Sequence, residues 1–419
     1  MIFGAIGDDL TGSVELAGML AAGGASVALV TRPEAIANAA SHDAVVVALR
    51  SRVAPVEEAV AAFEVAGREL LNQGARQLFF KYCATFDSTP AGNIGPCADV
   101  LYQLTGNTGT LFCPTFPEPE RTVYRGHHFV GDQLLSDSPK KDDPLTPMRE
   151  SDLVKVLQPQ TAIPVGLIRL GTVQAGPAAI RSERERLRAR GADYAIVDAI
   201  SHDDLRAIAA ATVEAKLMTG GSSVAGHYPA LWQTKGWIET RAPRQLSFPQ
   251  GPAIVLAGSC ADRTREQVEA FASDHPVLRL DITEAETKQL VSGAAAWVLA
   301  QDGQAVCVTT AGDPVAVASV QARLGRDVAA RKAEAVLSGL ARMLVDRGHR
   351  RIIVAGGETS GAVVEALGIE ALDVAPFGQP GVGICVTAKS VPLGLCLKSG
   401  KLGASDLFRT VLAEMGGKA

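Results

Sequence analysis

The sequence predicts an α/β protein of two domains with largely parallel sheets and a ligand cleft between them. Three observations carry this. Short apolar runs alternate with helical patterns along most of the chain, several of those runs end in glycine-rich turns, and 419 residues are too many for one ordinary core. The 42 glycines suit many tight strand-to-helix turns.

The first element is a strand through Ile2, Phe3, Ala5 and Ile6, followed at once by a helical spacing at Val14, Leu16, Ala17 and Leu20. Asp8, Asp9 and Thr11 thus fall at the carboxyl end of a strand. In open α/β sheets that edge binds ligands, because loops converge there and the next helix presents free N–H groups. One carboxylate is an ordinary helix cap. A second beside it adds repulsion that capping does not require.

Further strand-like runs are VALVT at 27–31, AVVVAL at 44–49, QLFFKYC at 77–83, GTLFCP at 109–114 and DYAIVDA at 193–199, with a helical pattern following Pro55. Residues 121–148 break the pattern with clustered Asp, Pro, Lys and Ser, which reads as an ordered functional excursion or a mobile loop. A second α/β series starts at PAIVLAGSCADRT and runs through QAVCVTT and RRIIVAGGETSG. Between the series a Pro-rich, apolar-poor stretch with Pro243, Pro249 and Pro252 reads as a linker, so the predicted domains are 1–245 and 246–419.

Bulk properties exclude several classes. A net charge of −5 and a pI near 5.9 argue against nucleic acid as the partner. No apolar run reaches 18 residues and no signal-like amino terminus is present, which predicts a cytoplasmic protein that does not bind a membrane. Seven cysteines without C-x-x-C spacing argue against a zinc site or a disulfide framework and read as small core residues. His127 and His128 are adjacent without a helical metal partner, and favour structure or substrate contact over a metal. Composition leaves a homo-oligomer open.

Two turns in the second half suit an anionic polyphosphate. The run Ile352–Ala355 enters Gly356, Gly357, Glu358, Thr359, Ser360 and Gly361 before a helix, and LKSGKLGASDLF places Lys398, Ser399, Gly400, Lys401 and Gly403 in a second nest. The latter is no P-loop, because Gly394 to Gly400 is one residue too long and Leu402 stands where Ser or Thr is required. Gly258 and Ser259 form a third such strand end. The pattern G-x-S-x-G is absent around Ser259 and Ser360, which disfavours a serine hydrolase. In the first half, FFKYCATFDSTPAGNIG gathers Lys81, Thr85, Asp87, Ser88, Thr89 and Asn93, a mixture suited to a small hydroxylated acid. Arg50 closes its own strand nearby.

Taken together, GDDLTGSVELA, KYCATFDSTPAGNIG, FCPTFPEPERTVYRGH, PLTPM, VLAGSCADRT, AGGETSG and LKSGKLGASDLF resemble the four-carbon acid sugar kinase family over nearly the whole chain. Within it they look most like the 3-oxo-tetronate (3-dehydrotetronate) kinases. The resemblance implies an amino-terminal sugar-acid domain and a carboxy-terminal nucleotide domain, with ATP and Mg²⁺ as cofactors. By matching motif, Ser259, Gly356, Gly357, Glu358, Thr359, Gly400 and Gly403 would hold ATP. Asp8, Asp9, Lys81, Asp87 and Ser88 would face the acid. Arg50, read from its place at a strand end rather than from the resemblance, is a further candidate substrate contact, with a surface ion pair as the alternative. Asp8, Asp9 and Asp87 are the candidate catalytic carboxylates, and Lys398 or Lys401 could offset phosphate charge.

Related threonate and erythronate kinases carry a K-x-D-S-T-x-R-G-N segment. Here Tyr82 to Phe86 stand between Lys81 and Asp87, and Ala91 precedes Gly92. That departure favours a 3-oxo acid phosphorylated at O4 over plain D-threonate or D-erythronate. A non-catalytic sugar-acid sensor is the alternative from a different class.

Overall fold

The computed structural model describes residues 1–143, 146–310, 312 and 314–416. Two residues of the PLTPM motif, Pro144 and Leu145, lie outside the described residues. The chain divides into two compact units, Met1–Arg244 and Gln245–Ala419.

The first unit is built on eight parallel strands: β1 (Phe3–Gly7), β2 (Val27–Val30), β3 (Ala44–Ala48), β4 (Gln77–Lys81), β5 (Thr110–Cys113), β9 (Val165–Ile168), β10 (Tyr194–Val197) and β11 (Leu217–Gly220). Their order is β2-β3-β1-β4-β11-β5-β10-β9. The predicted strands are present. The sequence pattern missed β9 and β11, four residues each, because VGLI follows Pro164 directly and LMTG carries one polar residue and a glycine. Strands buried along their whole length, such as AVVVA of β3 and FGAIG of β1, are what a sheet covered on both faces requires.

The covering helices bury regular stripes. Helix Val56–Asn72 places Ala59, Phe63, Ala66, Gly67 and Leu70 inward, with Glu57 and Glu58 in its first turn where the helix dipole favours them. Phe63 meets Phe80 of β4 edge-on with ring centroids 4.6 Å apart.

Among the described residues, the unusual stretch after Phe116 takes up regular structure. It forms a small antiparallel sheet, β6 (Arg121–Tyr124), β7 (His127–Val130) and β8 (Gln133–Leu134), followed by short 3-10 turns over Leu135–Asp137 and Pro139–Asp142. It is tied to the main unit by paired backbone bonds between Val123 and Ala199, and by His128 N–H donating to Ser151 O at 2.8 Å.

The second unit contains β12 (Ala253–Ala257), β13 (Val277–Arg279), β14 (Val306–Thr309), β15 (Arg351–Ala355), β16 (Ala371–Ala375), β17 (Val382–Thr387) and β18 (Gly394–Lys398) in the order β13-β14-β12-β15-β18-β17-β16. The first five strands of that order are parallel and the last two pair antiparallel. Its core joins Val255, Ile353, Cys396, Phe271 and Phe408, with Leu246 and Phe248 of the irregular stretch packed on it. Cys97, Cys113, Cys307, Cys385 and Cys396 are buried, and all seven cysteines are free, as the spacing predicts.

Replacing Phe63 with alanine removes a fully buried ring and its partner's edge contact. The expected cost is about 3–5 kcal/mol, read as a lower urea midpoint for the first unit with an unchanged m-value.

Candidate active site

The strand order of the first unit sets β3, β1 and β4 side by side, so their carboxyl ends deliver Arg52, Asp8, Asp9 and Lys81 to one place. Asp9 caps helix Leu10–Ala22. Its Oδ1 accepts Gly12 N–H at 3.2 Å, its Oδ2 accepts the Thr11 hydroxyl at 2.8 Å, and Ser13 donates to its carbonyl at 2.6 Å. Asp8 has a different task. Arg52 grips it with Nε on Oδ2 at 2.9 Å and Nη2 on Oδ1 at 2.8 Å, and the same Nη2 reaches Asp9 Oδ1 at 2.7 Å. The two adjacent carboxylates are therefore held by one guanidinium.

This geometry splits their acidities. Burial pushes the Asp8 carboxyl up from its ordinary value against the pull of Arg52, and the charge of Asp9 adds to the rise. Burial also works against Asp9, yet Arg52, Lys81, Thr11 and Gly12 together hold it down at about 2. Lys81 is buried, and its Nζ lies 3.9 Å from Asp9 Oδ1. It packs directly over Gly12, where any β-carbon would overlap the ammonium. No hydrogen bond from Lys81 Nζ occurs among the described residues, so its donors are available to a ligand.

The loop after β4 brings the next group. Tyr82 and Phe86 anchor the five-residue stretch: both are fully buried, their rings lie 5.1 Å apart edge to face, and the Tyr82 hydroxyl is 3.1 Å from Thr219 Oγ1. Phe86 takes φ of 52°, an uncommon conformation for a side chain of that size. The excursion between the anchors turns Cys83 and Thr85 toward Asp87. Thr85 donates to Asp87 Oδ1 at 2.6 Å, and Cys83 Sγ lies 3.0 Å from Thr85 Oγ1. Lys140, from the 3-10 turn beyond the small sheet, pairs with the same Oδ1 at 2.9 Å and with Asp143 at 2.9 Å. Burial raises the Asp87 carboxyl, but Lys140, Arg52 and Thr85 outweigh it and keep the group below the usual carboxylate range. No hydrogen bond reaches Asp87 Oδ2 among the described residues.

Two predicted residues sit differently. Ser88 is buried and spends its hydroxyl on Gln160 Oε1 at 3.2 Å, an oxygen that also accepts Gly95 N–H at 3.1 Å, while Ser88 N–H points at Met148 Sδ at 3.3 Å. It braces the loop. Arg50 is exposed, and the arginine that joins the carboxylates is Arg52, two residues on. The run AVVVALRSR offers both, and only the turn taken after β3 decides between them. Lys140 carried no signal of its own, because it belongs to a segment without periodicity.

In the second unit β12, β15 and β18 are neighbours, and their carboxyl ends carry the three glycine-rich turns. Gly258 and Ser259 N–H groups both reach Ala355 O, at 3.1 and 3.2 Å, and Gly356 N–H reaches Lys398 O at 3.0 Å. Helix Gly357–Ala366 then begins with no side-chain cap, so Gly357, Glu358 and Thr359 present its first N–H groups. Thr359 is buried, Gly357 and Glu358 are exposed. Gly400 comes so close to Ser259 that a β-carbon there would overlap the serine hydroxyl. Gly403 instead packs on Leu407 and Gln267, which makes it part of the turn's footing.

Lys398 has no exposed surface. Its ammonium donates to Gln267 Oε1 at 2.8 Å, Thr264 Oγ1 at 3.0 Å and Gly400 O at 3.4 Å, and burial lowers its pKa to about 8. It remains charged at neutral pH and fixes the second glycine turn from below. Lys401 is exposed. Beside these turns opens a cavity of about 880 Å³, with Gly258 and Cys260 at one side and Leu280, Ile282, Val317 and Val320 as apolar wall. Among the described residues Thr310 Oγ1, at its margin, is buried without a partner. An apolar wall faced by charged groups, Arg265, Arg279, Arg323 and Arg326 among them, beside a nest of N–H groups is the chemistry a nucleotide asks for.

Comparison with known proteins agrees with both halves. Residues 3–228 match the model of a sugar-binding N-terminal domain, and residues 254–408 match that of a nucleotide-binding C-terminal domain. Curated relatives named 3-oxo-tetronate kinase include one from Burkholderia multivorans, 42% identical and covering 100% of this chain and 98% of its own length. The chain belongs to this family of two-domain sugar-acid kinases. The relative from Pseudomonas fluorescens is also 42% identical, over 99% of this chain and 97% of its own, and that from Salmonella typhimurium 36%, over 97% of each. A solved structure from Salmonella typhimurium LT2 superposes with a TM-score of 0.88 at 34% identity, covering 98% of this chain and 99% of that one. Another from Haemophilus influenzae gives 0.81 at 32%, covering 98% and 100%. As a member of the family the protein is a kinase that uses ATP and transfers phosphate to an alcohol. Among the described residues no helix is long and apolar enough to cross a membrane.

Because Asp9 titrates at about 2 in the folded chain and near 3.9 when unfolded, its ionisation adds about 2 kcal/mol of stability. That contribution is complete above about pH 5 and is lost as the pH falls toward 2. Asp9→Asn should flatten this acid limb, measured by urea unfolding at steps from pH 6 to pH 3.

Proposed function

We propose that the protein is a cytoplasmic, ATP-dependent kinase that phosphorylates O4 of a 3-oxo-tetronate, giving the 4-phosphate. Residues 1–245 hold the sugar acid and residues 246–419 the nucleotide. The observation that carries this reading is that the match to curated 3-oxo-tetronate kinases, 42% identical, runs through both the carboxylate–cation cluster and the glycine turns.

Phosphoryl transfer asks for positioning and charge neutralisation more than for covalent chemistry by the protein. The O4 hydroxyl attacks the γ-phosphorus, the bond to the β-phosphate oxygen breaks, and the hydroxyl proton leaves. Asp87 is the carboxylate best suited to orient that hydroxyl and take its proton, because its Oδ2 is uncommitted while Arg52 occupies both oxygens of Asp8. The depressed pKa of Asp87 makes it a weak base. That suits a loose transition state, in which the proton departs late. Asp8 and Asp9 then serve mainly to fix Arg52 and Lys81, and Lys81 offers its free donors to the acid. Ser259, Thr359 and the N–H groups of Gly357 and Glu358 cradle the phosphates, with Gly400 allowing the close approach.

Mg²⁺ fits this scheme as part of the nucleotide complex. Among the described residues no three His, Cys, Asp or Glu side chains group as a metal cage. Magnesium commonly binds through phosphates and water with one or two carboxylates at most, and it would neutralise phosphate charge. The five-residue stretch Tyr82–Phe86 supports the 3-oxo acid over plain tetronates, since it shapes the wall beside Asp87.

The deciding experiment is ADP release from Mg-ATP with 3-oxo-tetronates generated in situ, and in parallel with D-threonate, L-threonate and D-erythronate, with the product's phosphate located by NMR. Turnover with the oxo acid and a phosphate on C4 is expected. Preference for a plain tetronate would replace the substrate, and no turnover with any of the acids would overturn the reading. Asp87→Asn should lower kcat about 10²–10⁴-fold with the KM for ATP little changed.

A further inference from the structure

The small sheet carries two side chains that the cluster above does not use. The register of β6 and β7 sets Arg121 opposite Val130 and Val123 opposite His128. Directly paired residues share a face, so Arg121, Val123 and His128 lie on the same one, and the diagonal pair Arg121 and His128 stand within reach of a common ligand. Val123 and His128 have no exposed surface, which makes this the inward face.

His128 is anomalous there. Its backbone is fixed by Ser151, yet among the described residues neither Nδ1 nor Nε2 has a hydrogen-bond partner. Buried polar groups are nearly always paired, and leaving one unpaired costs about 1–3 kcal/mol. Burial, aided by the positive charge of Arg121 and opposed by Asp87, lowers the imidazole to about 3, so at neutral pH it offers one N–H donor and one lone pair. Arg121 is half-buried. Its guanidinium donates to Pro119 O at 2.5 Å, and it makes no ion pair with a carboxylate among the described residues. Burial lowers its pKa too, against the pull of Cys83, Glu120 and Asp87, so both side chains lie in the field of the Asp87 loop.

We propose, resting on the kinase reading, that Arg121 and His128 form the subsite for the acid end of the substrate. Arg121 takes the carboxylate of a short hydroxy- or oxo-acid through its planar fork, and His128 makes a hydrogen bond to an oxygen on the adjoining carbon chain. The small sheet is thereby a specificity element rather than a surface ornament. An occupied subsite satisfies the imidazole that is orphaned without it, and sequence alone reads the His127–His128 pair only as structure or contact.

The test compares wild type with His128→Leu, His128→Asn and Arg121→Lys in two assays: calorimetric binding of D-threonate and of the 3-oxo acid without ATP, and steady-state kinetics. His128→Leu and Arg121→Lys should each weaken acid binding and raise the acid's KM at least ten-fold, with the KM for ATP within two-fold of wild type. His128→Asn, which keeps a donor and an acceptor, should recover part of the loss. The ligand-free melting temperature of His128→Leu should stay level or rise, because an unpaired polar ring is replaced by an apolar one. Acid affinity and KM within two-fold of wild type in both His128→Asn and Arg121→Lys would overturn the proposal, even if His128→Leu failed to fold. Wild type that binds these acids without turning any of them over would sink the kinase reading alone, and the calorimetric comparison would still decide the subsite.

Discussion

One guanidinium governs the amino-terminal site. Arg52 bridges Asp8 and Asp9, two carboxylates that adjacency in the chain forces together, and without it their repulsion and burial would compel one of them to take up a proton. The bridge does more than neutralise. It ties the turn after β3 to the turn after β1, and Asp8 backbone atoms complete the tie by accepting Ser51 and Arg52 N–H and donating to Lys81 O. Three strand ends thus become one rigid edge, against which Lys81 can be held in a buried position.

The second unit reaches rigidity by another route. There the glycine turns present backbone N–H groups, and a buried charge organises them. Thr264 and Gln267, on helix Asp262–Ala272, receive Lys398 from β18, so one side chain couples that helix to the glycine turn. The two units therefore use side-chain charge differently: in the first it gathers at the strand ends themselves, in the second it supports the turn from within.

Much of this was legible in the residues, and the exceptions share a cause. Periodicity exposed the buried parallel strands and the helix after Pro55, and glycine-rich strand ends marked the nucleotide side, because those signals are local. Arg52 escaped in favour of Arg50 because a two-residue difference in a turn leaves no periodic trace. Lys140 and Arg121 escaped, and His128 reads in the sequence only as structure or substrate contact, because their place depends on a small antiparallel sheet whose neighbour across the fold, the Asp87 loop, lies dozens of positions away in the chain. Ser88 shows the converse: a serine beside a candidate aspartate looks like a ligand contact in the sequence, yet its hydroxyl is consumed by Gln160. The Tyr82–Phe86 stretch was visible as an insertion, but its logic of two aromatic anchors with polar residues bulging between them required the packing.

The deep placement of Lys398 has a consequence for how the second glycine turn meets changing solution conditions. A lysine at the surface gives an attraction that dissolved ions blunt within about 10 Å at 0.1 M ionic strength, so affinity built on it drifts with salt. Here the ammonium is sealed from solvent and already satisfied by three acceptors, and the loop it shapes stands ready before any nucleotide arrives. Little ordering entropy remains to be lost on association. The shape of that turn is accordingly set by internal packing and pairing rather than by dissolved ions.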